Sequence, residues 1–541
     1  MSSGVGLKQE SSTSHQLALG GLDRREFLIC AAATGLSATA LSVFLAACRP
    51  AETTFPTPAT PSPSPAPTPI PTLDPTPTPT PARPPKPAPV PAPTPPPVKE
   101  VTIDSEVIRT GHLLRRAGFG ASPAELEIFT AMGWAATVDY LIEYQNVDDS
   151  ELEHLLSLLE LDLERPIDLQ RWWLLRMINT KRPLQEKMTL FWHGILTSAS
   201  AKVGKGPYMY NQNQLFRKHA LGHYGTLLKA VSKDPAMLVW LDSRRNKKSA
   251  PNENFARELM ELFSMGIGHY TETDVRESAR AFTGWGLKRK EFFFRSNHHD
   301  FGFKTFLGES GDFDGDDIVD IIMKQPVAAE FISRKLFEYF AYDAPDPDTV
   351  ARLADTFRSS KQSIKAVVRE ILTSTEFYSS RAYRTKIKSP VEMVASTVRT
   401  LGIETDGKVL LKPTNNMGQS LFNPPDVSGW PGGLTWINSS TIVHRLNFAN
   451  QIATARRRNF RFDPYEIVAQ LNITSVEGMV DYFISVLLDG NVPPQEREIL
   501  VAYVRAMENI PVSLGKKNHI ADEKLRSLVY LVMASPDYQL V

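Results

Sequence analysis

The chain has 541 residues, with 60 basic and 60 acidic side chains and a formal net charge of zero. Balanced charge with no basic tail or stripe argues against a nucleic-acid partner. Two cysteines exclude a disulfide framework, and 42 % hydrophobic residues at this length suffice for a core that needs none.

Residues 1–48 read as an export signal. Asp23-Arg24-Arg25-Glu26-Phe27-Leu28 resembles a twin-arginine motif, with Ile29 where a lysine is usual. The apolar run Ile29 to Ala47 is rich in Ala, Thr, Ser and Gly, so it is only mildly hydrophobic, which suits such a signal. It closes on Leu45-Ala46-Ala47-Cys48, which resembles a bacterial lipobox and makes Cys48 the lipid attachment point. The alternative is an uncleaved anchor of ~19 residues, long enough to span a bilayer. Both readings place the body outside the cytoplasm, tethered to the membrane. Cys30 and Cys48 both lie in this leader, so the body has no thiolate metal site and no cysteine nucleophile.

Residues 49–100 form a spacer. Thr54 to Val98 holds more than half of the 41 prolines, in Pro-Thr and Pro-Ala alternation that favours extended polyproline II or a disordered stalk. At ~3.1 Å per residue it reaches on the order of 100 Å.

Residues 101–541 are expected to form a single large, mostly α-helical body with one small β-hairpin. Ser122-Pro123-Ala124-Glu125 is a capping box with Pro at the first helical position. Helix starts are also expected at Gly315-Asp316-Asp317, at Ser363 and at Thr474 or Ser475. The strand candidates are Glu291 to Arg295 and Phe303 to Leu307, paired across His298-His299-Asp300. Asp312 to Asp317 fails the calcium-loop pattern, with Asp317 where Gly is required, so a helix N-cap accounts for it better.

Asn252 to Phe263 reads as a helix with Phe255, Leu259, Leu262 and Phe263 on its apolar face. Beside that face Arg257, Glu258 and Glu261 are candidate catalytic groups, because two carboxylates at i, i+3 can act as acid and base. The competing reading is an ion-pair ladder of Glu253, Arg257 and Glu261. A second helix follows Thr271, and its Arg280 can cross to Glu258 or Glu261. His193, His298, His299 and Asp300 are candidate ligands for a divalent metal if they converge on those glutamates, although no His-Glu-x-x-His motif is present. Lys304 is a candidate anion-binding residue. Trp430, in the turn-rich loop Asn423 to Gly433, can line a pocket or stack on a sugar, or else plug the core.

Leu113-Leu114-Arg115-Arg116-Ala117-Gly118-Phe119-Gly120, Phe191-Trp192-His193 and Asp234-Pro235-Ala236-Met237-Leu238 resemble bacterial domain-of-unknown-function family 1800. So do Asn252 to Gly266, Ala279 to Trp285, His299 to Gly308, Pro424 to Pro431 and Ala534-Ser535-Pro536 with Gln539, so the likeness runs from Arg109 to Val541. The resemblance implies a helical, exported bacterial protein and no established reaction. It also implies a His in many relatives where this chain has Phe263. A further implication is an exported partner encoded nearby, with a sulfatase- or phosphatase-like fold. Two functions follow as expectations: a hydrolase-like envelope enzyme, or a non-catalytic scaffold or maturation factor for that partner.

Overall fold

Helices begin where the sequence places caps. The computed structural model describes Ile103, residues 105–505, Val512 and residues 517–541; the signal and spacer lie outside the described residues. Ser122 and Glu125 close the expected capping box on Pro123–Met132. Ser363 caps Ile364–Thr373 by accepting from the Ala366 N–H, and Ser475 caps Val476–Leu488 by accepting from the Gly478 N–H. Asp314, rather than Gly315, caps Gly315–Lys324, taking the N–H groups of Asp316 and Asp317. The acidic run therefore serves a helix start.

These helices bury two apolar cores. One gathers Leu113, Tyr224, Phe263, Phe282 and Phe337; the other gathers Trp173, Met393, Phe448, Phe483 and Leu528. The helix Pro183–Ile195 enters both, with Leu184, Met188, Phe191 and Trp192 in the first and Leu190 in the second. A helix buried all round should be apolar, yet this one carries Glu186 and Lys187, each 1 % exposed. Unpaired charges there would cost several kcal/mol each, and neither is unpaired. Glu186 accepts from Arg217 Nε and Nη2 at 2.8 Å each, from Arg176 Nε at 3.2 Å and from Trp173 Nε1 at 3.0 Å. Lys187 donates to Glu392.

The strand pairing differs from the expectation. β1 (Trp285–Lys288) pairs with β2 (Glu291–Phe294), and β3 (Lys304–Phe306) pairs with β4 (Glu309–Gly311), both antiparallel. Each strand closes on its nearest neighbour across a two-residue turn instead of spanning the histidines. Both turns have positive φ at both positions: Arg289 52° and Lys290 73°, then Leu307 47° and Gly308 83°. Such turns match the twist of a hairpin, but Arg-Lys lacks the Asn-Gly signature that would have betrayed the first. A third small sheet, ordered Glu404–Thr405, Phe460–Arg461, Arg456–Arg457, was not expected. Among the described residues no helix is long and apolar enough to cross a membrane.

Glu186 gives the fold a pH signature. Burial raises its carboxyl pKa, but Arg217 and Arg176 outweigh that and hold it at about 2, against 4.5 when unpaired. A carboxyl depressed by folding contributes stability above its unfolded value and loses it as pH falls through the folded one, here a contribution of ~3 kcal/mol. Glu186→Gln is expected to lower stability at neutral pH by ~3–5 kcal/mol, and to flatten the loss between pH 4.5 and about 2. Denaturant titrations of the full chain across that range check both; an unchanged midpoint at neutral pH contradicts the assignment.

Candidate functional site

Most of the charged residues expected at a site are held by internal partners. In Asn254–Glu261, Phe255 and Leu259 are buried as expected, as is Phe263 just beyond the helix. Arg257 makes a two-pronged pair with Glu272 at 2.8 Å per bond and reaches Glu253 at 3.5 Å. Glu261 leaves the expected ladder and accepts from the Tyr270 hydroxyl at 2.7 Å. Arg280 does not cross to Glu258 or Glu261; it binds Asp300 and Glu277, at 2.7 Å each. The Lys304 ammonium is buried and donates to the Gly302 carbonyl at 2.9 Å. Glu258 is the exception. It is half-buried, without a hydrogen bond or ion pair among the described residues, and burial together with the Glu261 charge pushes its pKa up.

The expected metal ligands do not converge. His193 Nε2 accepts from the Phe422 N–H at 3.2 Å, and its ring lies against Trp173, Phe422 and Trp430. Burial lowers its pKa to about 3, so the imidazole is neutral. His299 Nδ1 donates to the Thr283 carbonyl at 2.8 Å, with its ring between Phe294 and Phe301. His298 ends the short 3-10 turn Ser296–His298, and Asp300 belongs to Arg280. Among the described residues no three His, Asp or Glu side chains gather around a common point. His193 and His299 instead fasten loops, because a buried ring nitrogen needs a partner and the nearest is backbone.

What the fold does build is a cleft of about 500 Å³ beside Pro183–Ile195. Phe191, Gly194 and Ile195 line it together with Lys335, Glu338 and Tyr339 of Pro326–Phe340 and with Ser389 and Glu392. The expected turn-rich loop supplies Ser428 and Trp430. That loop is tied down firmly: Thr197 Oγ1 donates to the Val427 carbonyl at 2.7 Å, and the Trp430 ring meets His193 edge-on at 5.5 Å. Gly429 has φ 83°, and a Cβ there would lie 2.2 Å from the Gly194 carbonyl oxygen, so only glycine fits. Leu262 also faces the cleft, and Glu258, one turn earlier, lies on the same side of its helix.

The buried charges of Glu392 and Arg116 in the lining have internal partners. Burial raises the Glu392 pKa, but the Lys187 ammonium and the Ser389 N–H outweigh it and hold the carboxyl at about 2. Arg116 donates to the carbonyls of Phe340 at 2.7 Å and Ala341 at 2.6 Å, closing the end of that helix. Toward a ligand the cleft presents Tyr339, Trp430, Ser389 and Ser428 together with the charged side chains of Lys335 and Glu338. Sequence reasoning missed Lys187, Glu392, Tyr339 and Arg116. Two signals pointed to them: adjacent charges inside an otherwise apolar helix, and Ser389-Pro390-Val391-Glu392, which repeats the capping box at Ser122.

The architecture is thus a mostly α-helical body whose tryptophan-bearing loop lines a cleft. The family profile described as "Protein of unknown function (DUF1800)" matches residues 112–540, and the chain belongs to that family. No curated protein and no solved structure matches the chain.

Gly429→Ala is expected to push the loop off Gly194. The backbone there is strained for any other residue, so stability falls by ~1–3 kcal/mol. Thermal melts and near-ultraviolet circular dichroism, which reports the packing of Trp430, check this; an unaltered spectrum and melt contradict the geometry.

Proposed function

We propose that this protein works outside the cytoplasm, tethered by its N-terminus, and that the Trp430 cleft binds a segment of an envelope glycan. The composition of the cleft carries this reading. A sugar offers an apolar C–H face for an indole and hydroxyls for neutral partners; Trp430 supplies the first, and Ser389, Ser428 and Gln419 supply the second. Arg24, Arg25 and Cys48 support the location, and the proline-rich spacer would link the body to its membrane anchor.

A hydrolase acting on the same glycan is the second reading, favoured by Glu258. A half-buried carboxyl with no partner and a raised pKa is the form a general acid takes. Arg257, Arg280 and Lys304, each held by internal partners, then serve structural roles.

Calorimetric titration of the purified full chain with bacterial cell-wall oligosaccharides tests the proposal. Trp430→Ala is expected to weaken binding about tenfold, ~1.4 kcal/mol. Glu258→Gln is expected to preserve binding and, under the second reading, to abolish release of shortened products. Absence of binding across the oligosaccharides, or Trp430→Ala binding like wild type, overturns the glycan assignment.

A further inference from the structure

We propose that the β1–β2 hairpin and the segments packed beside it form a docking surface for an anionic lipid bilayer. Three stretches distant in sequence are brought together there. The Gly284 N–H donates to the Asn246 carbonyl at 3.1 Å, and the Lys248 N–H donates to the His298 carbonyl at 2.8 Å. The Asn246 side chain locks the junction by donating to the Ala279 carbonyl at 2.8 Å. A Cβ at Gly284 would lie 2.7 Å from the Arg295 carbonyl oxygen, so the strands meet as closely as backbone allows.

The surface so formed is strongly cationic. Arg244, Arg245, Lys247, Lys248, Lys288, Arg289 and Lys290 are all exposed, and none makes an ion pair among the described residues. The neighbouring carboxylates are already engaged: Asp242 by Lys202, Asp300 by Arg280 and Glu253 by Arg257. Glu291 is the acid of the hairpin itself.

The same surface exposes apolar rings. In β2, Phe292 packs inward on Trp285 at 5.3 Å, while Phe293, opposite Gly286, faces outward with Lys288 above it at 4.9 Å. Phe293 is 40 % exposed, Phe294 39 %, Phe301 59 % and Phe303 70 %. Phe294 and Phe301 each meet the His299 ring edge-on, which joins the first hairpin to the approach to the second.

Charge complementarity and the kind of aromatic select the occupant. Lys and Arg heads suit phosphate headgroups, and rings beside them suit the acyl boundary just beneath. Phenylalanine has no polar handle, so four exposed rings gain most where water is excluded altogether. A polyanion in water, such as a nucleic acid or a polyphosphate, would use the cations but leave Phe301 and Phe303 wet. The fit is to a surface on which the body lies, independent of the glycan cleft.

The test is sedimentation of the unlipidated full chain with vesicles of phosphatidylcholine alone and of phosphatidylcholine mixed with phosphatidylglycerol. Binding is expected to favour the anionic vesicles by about tenfold or more and to fall with added salt. Lys288→Glu with Arg289→Glu and Lys290→Glu, and separately Phe293→Ser with Phe303→Ser, are each expected to weaken it about tenfold, with unchanged melting temperature. Because the leader is common to every variant, differences report on the hairpins; should the charge reversals unfold the chain, the Lys→Gln and Arg→Gln set provides the comparison. Equal binding to both vesicle types overturns the proposal, as does full binding by either set of folded variants. Tight binding of polyphosphate or DNA without vesicle binding also overturns it and assigns the surface to a soluble polyanion.

Discussion

Two buried, paired charges on one helix set the rest of the structure. Glu186 and Lys187 are adjacent in Pro183–Ile195 and face different partners, Arg176 and Arg217 on one side and Glu392 on the other. The helix cannot leave its place without stranding two charges in an apolar interior, which would cost far more than any single apolar contact. It therefore holds the two cores in register. It also fixes the cleft, because Phe191, Gly194 and Ile195 at its end line it and His193 anchors the loop that carries Trp430.

That arrangement separates the cleft's architecture from what it shows a ligand. Lys187, Glu392 and Arg116 are satisfied by one another or by helix-end carbonyls, so the deep charges serve position. Under the proposed glycan reading, contact falls to Trp430, Ser428 and Ser389 of the lining. Glu258 is half-buried with no side-chain hydrogen bond or ion pair among the described residues, and it stands one turn from the cleft-facing Leu262.

Local rules were legible in the sequence, and long-range ones were not. The Ser122 and Thr271 caps follow from spacing within four residues, and both are complete capping boxes. The buried face of Asn254–Glu261 follows from helical periodicity. Of the Glu253, Arg257, Glu261 ladder the Glu253 rung forms at 3.5 Å, while Arg257 also pairs with Glu272, 15 residues away on another helix, and Glu261 turns to Tyr270. His193 and His299 read as ligands by residue type, but whether a histidine meets a metal, a carbonyl or an N–H depends on loops more than 15 residues distant. Trp430 stands out in the sequence by its turn-rich setting, and it lines the cleft. The Lys187–Glu392 pair spans 205 residues and left only the oddity of charge in an apolar helix.

A double-mutant cycle on Lys187 and Glu392 tests the central claim most directly. Lys187→Met and Glu392→Met should each lower unfolding free energy by ~3–5 kcal/mol, because each strands the other charge, whereas the double variant should return close to wild type. Single changes of less than ~1 kcal/mol, or a double variant whose loss is the sum of the two, would show that the pair is not what locks the helix between the cores.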